Sequence, residues 1–159
     1  MPQERTLART DKLAKLVAVF DEFHEAIARL EDPMAKRLVE NWAGIRHQYV
    51  EPSGTTRSAF ASGMEQGLRE TPILLRSMQP EARKCAVQAL AAATSVHYPD
   101  FLHKDAERLA KIKARGSIRS ENEVYLVRHH VDLLEGEPGQ EEELRLLYEL
   151  VDRFEARGR

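Results

Sequence analysis

Two adjacent histidines, His129 and His130, stand in the stretch "ENEVYLVRHHVDLLEG". Imidazole can ligate a metal, relay a proton or change its charge near neutral pH. The apolar period here is helical, with Val124, Val127, Val131 and Leu134 at its centre and Leu126 and Leu133 on one flank. Successive residues of a helix turn by about 100°. That rotation puts His130 inside the apolar arc and His129 at its edge, one turn beyond Tyr125, so the rings are expected to diverge. His97 and His103 lie across a proline turn and can approach His130 in the fold, which makes His97, Tyr98 and His130 a candidate small-molecule pocket. No Glu-x-x-His or His-x-x-x-His spacing accompanies them, and neither a metal nor a cofactor is expected.

Cys85 is the only thiol. Activated cysteines sit at helix starts or beside an orienting histidine. This one lies mid-helix among alanines, so a buried, unreactive thiol is expected. "PSGTTRS" has the small and hydroxyl residues of a phosphate-cradling loop but lacks the preceding strand and the Gly-Lys-Ser/Thr ending. It reads as a connection whose Thr56 or Ser58 caps the next helix. No carboxylate pair, Ser/His/Asp set or glycine-rich nucleotide motif can be assembled by spacing. No catalytic residue is therefore assigned, and no motif of a known family is present.

Charge is the feature furthest from background. Lys104, Arg108, Lys111 and Arg115 recur at helical spacing as a basic stripe. From His103 to Arg119 six positive residues face two negative ones, whereas from Asp132 to Glu149 seven negative residues face one positive. Either the two blocks pair inside the fold, or the stripe docks a charged partner. The short turn "GSIRS" between the helices makes internal pairing the first expectation.

The elements that position these groups are helices throughout. The chain has 159 residues, 42% hydrophobic and 31% charged, with a formal net charge of −2. That is the composition and length of one globular domain, with no whole-molecule field for nucleic acid or an anionic membrane. A first helix is expected from about Thr10 to Glu31, with Leu13, Leu16, Phe20, Phe23, Ile27 and Leu30 in heptad register. So narrow a seam makes these six residues a candidate homodimer contact. Asp32-Pro33 opens a second helix with an inner face of Met34, Leu38, Trp42, Ile45 and Tyr49. Further helices are expected from about Ser58 to Glu70, in a short segment from Thr71, from Pro80 to before Pro99, and from Asp100 to Arg115, where Gly116 caps. Ser120 and Glu123 form a capping box for the histidine helix. After "EGEPG" the last helix runs from about Gln140 to Ala156. Small-residue stripes, Ala59, Gly63 and Gly67 on one helix and Ala82, Ala86, Ala89 and Ala93 on another, predict a close central crossing of the two.

The expectation is an all-α, compact single-domain bundle of about seven helices over residues 1–159, with residues 1–9 a disordered N-terminal segment. No apolar run has the length of a membrane span, and a lone cysteine with no leader-like start reads as cytoplasmic. The leading function class is a protein-binding or regulatory module acting through helix surfaces on another protein or on a second copy. A ligand-binding domain or enzyme with a central pocket ranks second. Nucleic-acid binding through the basic stripe ranks third, because no aromatic residues interleave it.

Overall fold

In a computed structural model of the protein, residues 11–157 are described; the expected disordered segment 1–9 lies outside them. The described residues form seven helices and no strand: α1 (Lys12–Ile27), α2 (Pro33–Val50), α3 (Arg57–Leu75), α4 (Pro80–His97), α5 (Pro99–Arg115), α6 (Glu121–Leu134) and α7 (Glu141–Arg157). The all-α architecture is the expected one. The helices group into two compact units, the first ending at Pro99 and the second beginning at Asp100.

Side-chain caps explain several of the starts. The side chains of Asp11 and Thr56 accept from the backbone N–H three residues on, and Asp32 accepts from Met34 and Ala35 ahead of the first-turn Pro33. Gly116 takes φ +81° just past α5, and its N–H bonds the Ile112 carbonyl, an αL cap that glycine alone adopts without strain. Ser120 accepts from the N–H of Glu123 as the capping box requires, but the Glu123 carboxylate reaches the N–H of Arg119 rather than that of Ser120.

In the first unit α1 packs against α2, α3 and α4. Four of its six seam residues, Leu13, Leu16, Phe23 and Ile27, are at most 2% exposed, and Val19 joins them. Phe20 and Leu30 are half-buried. The seam is therefore spent on the protein's own core, and the homodimer contact expected there is corrected. A helix packed on three neighbours needs a wider stripe than a coiled-coil seam, and Val19 supplies it.

Four local expectations fail for identifiable reasons. α3 continues through Pro72, where a break was expected; the Thr71 hydroxyl donates to the Gly67 carbonyl at 2.8 Å, one of the side-chain bonds that let a helix carry a proline. Ile45 is 41% exposed, because α2 turns Ala35 and Trp42 inward instead. Cys85 is exposed: the buried face of α4 is Ala86, Val87, Leu90, Ala93 and Thr94, and the thiol lies round the opposite side. The α3 glycine stripe does not make the expected crossing, since a Cβ on Gly63 would meet nothing within 4 Å and one on Gly67 would meet Phe20 at 3.9 Å.

The second unit is built on Leu109 and Ile112 of α5, Ile118 of the turn, Val124, Val127 and Val131 of α6, and Leu147 and Leu150 of α7. Its connections are tied by arginines. Arg115 and Arg157 donate to the Ser117 and Ile118 carbonyls, satisfying the turn between α5 and α6.

Candidate functional site

Polar groups in the first unit are engaged in pairs. Asp21 on α1 accepts from Trp42 Nε1 at 2.9 Å and from Arg46 Nε and Nη2 at 2.7 and 2.8 Å. Burial pushes this carboxyl up, and the Arg46 and Trp42 bonds more than reverse it, leaving it below its usual range. Trp42 is in turn stacked on Phe20, His24 and Tyr49, whose rings lie 5.2, 5.6 and 6.1 Å from it. His24 sits inside this aromatic stack. Its Nδ1 lies 2.6 Å from the Phe20 carbonyl, which can only accept, so Nδ1 carries the proton. Burial holds its pKa below normal, against the Phe20 carbonyl and Asp21.

Glu65 is a buried acid. It accepts from the Tyr98 hydroxyl at 2.6 Å and pairs with Lys12 at 2.8 Å, with Arg69 at 3.9 Å. Burial raises its pKa, but the Lys12 and Tyr98 bonds overcome that, so the carboxylate is ionised. An ionised carboxylate engaged in this way is a structural anchor and a poor general acid. Asp32 serves two helices. Its Oδ1 caps α2, and its Oδ2 takes the N–H of Gln79, the residue preceding α4, at 3.1 Å.

The candidate pocket of His97, Tyr98 and His130 is not assembled. His97 Nε2 meets Glu22 of α1 at 2.9 Å, Tyr98 turns to Glu65 of α3, and His130 belongs to the second unit. His97 instead borders an open cleft of about 470 Å³ with Asp21, Glu22, Glu25 and Arg29. Sequence alone could not separate neighbours whose partners lie on different helices.

The paired histidines also differ from expectation. Their rings do not diverge: the centroids are 6.2 Å apart in an edge-to-face contact. His129, placed by the wheel at the edge, has its Nδ1 sealed from solvent with no hydrogen-bond partner among the described residues. Burial, with His130 beside it, pushes its pKa down to about 4. His130 is lowered by burial as well, with Glu143 raising it and Lys113 lowering it. Among the described residues no three His, Cys, Asp or Glu side chains stand together as metal ligands. No helix there is long and apolar enough to cross a membrane.

The basic stripe divides. Arg115 pairs with Glu123 at 2.5 Å, on the next helix. Lys104, Arg108 and Lys111 are exposed, and the ion pair recorded among them is Arg108 with Asp105 of their own helix at 3.2 Å. The bridge from α5 to the acidic block is made by Lys113, which lies outside the stripe and meets Glu143 of α7 at 2.7 Å. Internal pairing of the two charge blocks thus runs through the wrong lysine for the expected reading. No known protein family, curated protein or solved structure matches this chain.

The anchors missed in the sequence were Asp32, Glu65 and Asp21. Asp32 alone gave a signal, as an N-cap before Pro33. Its second bond spans 47 residues, and the Tyr98 bond to Glu65 spans 33, separations no local pattern reports.

Proposed function

We propose that the protein is a helical binding module that docks an acidic surface of a partner protein through Lys104, Arg108 and Lys111 of α5. The observation supporting this reading is the division of the stripe: three cations stay exposed while Lys113 and Arg115 serve the unit's own acids. Exposed cations that make no pair with another helix steer an oppositely charged partner and fix its register, Arg108 being paired within α5 alone. A second copy is one such partner, since Glu141, Glu149 and Asp152 of α7 are exposed acids. It would have to use that face, the α1 seam being buried. Nucleic acid fits less well, because the net charge is −2 and no aromatic residue interrupts the cations for base stacking.

The test is fluorescence anisotropy at low salt, with a labelled poly-glutamate peptide and a DNA duplex as probes. The wild-type chain should bind the peptide in preference to the duplex, and Arg108→Glu with Lys111→Glu should abolish that binding without unfolding. Peptide binding undiminished by the double reversal, or no peptide binding at all, would refute the assignment.

A further inference from the structure

The first unit carries a cleft of about 540 Å³ lined by the first turns of α1, the end of α2 and the residues leading into α3. Its apolar wall is Leu13, Ala14, Val17, Val50 and Pro52. Three side chains with donors line the same space, Arg46, Tyr49 and Arg57, beside one acid, Glu51. Each guanidinium is gripped from its other edge by a carboxylate. Asp21 takes Nε and Nη2 of Arg46 at 2.7 and 2.8 Å, and Asp11 takes Nε and Nη2 of Arg57 at 2.7 and 2.8 Å. A two-point grip fixes the plane of the fork and leaves Nη1 to donate elsewhere. Neither Nη1 nor the Tyr49 hydroxyl has an acceptor among the described residues.

An apolar wall bordered by a few donors, two of them held in fixed planes, has the makings of a small-molecule site. We propose that this cleft binds an amphipathic monocarboxylate, its head group taken by Arg46, Arg57 and Tyr49 and its chain laid along Leu13, Val17 and Val50. The donors select the head group, since guanidinium N–H groups bond a carboxylate most strongly. Asp11 and Asp21 already offset both guanidinium charges and Glu51 also borders the cleft, so a head group is held by directed, charge-assisted N–H bonds rather than by the net field, and a dianionic phosphate is opposed more strongly than a single carboxylate. Val50, 42% exposed, leaves apolar wall open to solvent for a hydrocarbon chain to cover. This ligand site is separate from the α5 stripe and does not depend on it.

Trp42, the only tryptophan, reports on the cleft from inside the protein: it stacks on Tyr49 and shares Asp21 with Arg46. The whole chain is titrated with decanoate, decanol and inorganic phosphate, below micelle-forming concentrations, following Trp42 fluorescence and, in parallel, calorimetric heat. Decanoate should give saturable binding by calorimetry with a concordant fluorescence change, decanol should bind at least about tenfold more weakly, and phosphate should give neither signal. Arg57→Met should weaken decanoate by about tenfold or more, and Val50→Glu should remove binding by placing a second acid on the wall. Both residues are accessible to solvent, so both variants are expected to keep the wild-type melting temperature. Absence of saturable decanoate binding in either readout, equal affinity for decanol, or full affinity in Arg57→Met would overturn the proposal.

Discussion

The two units solve the same packing problem with opposite uses of polar groups. In the first, acids are bound several times over: buried Asp32 holds three backbone N–H groups, buried Glu65 holds Tyr98 and Lys12, and half-buried Asp21 holds Trp42 and Arg46. In the second, the core is valine, leucine and isoleucine, its ion pairs lie on the rim, and among the described residues one sealed side-chain atom, His129 Nδ1, is left without a partner. A satisfied buried carboxylate specifies how helices meet, whereas an unsatisfied buried imidazole costs stability at any pH and costs more once a proton is available to it. Removing an anchor should therefore damage the first unit at any pH near neutrality, and the second unit, with His129 and His130, should carry the larger share of the acid sensitivity.

The largest effect is expected at Asp32. Asp32→Ala strands the N–H groups of Met34, Ala35 and Gln79 at a site 3% exposed, and should lower the unfolding free energy by about 3 kcal/mol in a denaturant titration. Asp32→Asn, which keeps an acceptor oxygen, should lose roughly half of that. If alanine there costs no more than an ordinary surface substitution, the bond linking α2 to the start of α4 is not what holds these helices.

Next comes acid sensitivity. Folded His129 protonates only near pH 4, while in the unfolded chain its pKa is close to 6.5. Between those values the unfolded state binds the extra proton, so stability is complete above about pH 6.5 and falls as pH drops toward 4. The full loss from this one ring is about 3 kcal/mol. His24 and His130, also lowered by burial, act in the same direction. The carboxylates Asp21 and Glu65, held below their usual values, lose their contribution only at lower pH. Thermal melts from pH 7.5 to 4.5 should show the slope in the wild type and a clear flattening in His129→Phe. Equal slopes in both would mean that this ring is not the sealed one.

A smaller effect attaches to the second acid of the first unit. Tyr98→Phe removes one donor from Glu65 and leaves Lys12, so about 1 kcal/mol of stability should be lost. The comparison sharpens if Glu65→Leu, which removes the buried charge together with its demand for partners, costs no more than Tyr98→Phe.

Much of this fold was legible locally, because helix starts and stops are written in short-range chemistry. Asp32-Pro33, Thr56, Gly116 and Ser120 each mark a boundary through a backbone bond made within a few residues. What the sequence left open is which of two plausible faces each helix turns inward. Ile45 and Cys85 lie on faces apolar enough to pass for core, and only the tertiary packing of Trp42 and of the alanines in α4 decides against them. The α1 seam was correctly apolar but misassigned, since heptad spacing alone does not distinguish a partner helix in the same chain from one in another. The anchors and the cleft depend on contacts across tens of residues. Their members, Asp21, Arg46, Arg57 and Tyr49, carry no shared motif.

The central claim is that the second unit leaves Lys104, Arg108 and Lys111 exposed, with Arg108 paired only to Asp105 of its own helix, and uses Lys113 and Arg115 to tie its elements together. Arg108→Glu with Lys111→Glu should be melted beside Lys113→Glu at low and at high salt. The account predicts a double reversal within about 0.5 kcal/mol of wild type at both salts, and a Lys113→Glu loss of up to about 1 kcal/mol that shrinks as salt screens the Glu143 pair. A double reversal that loses more than Lys113→Glu, and most at low salt, would contradict it.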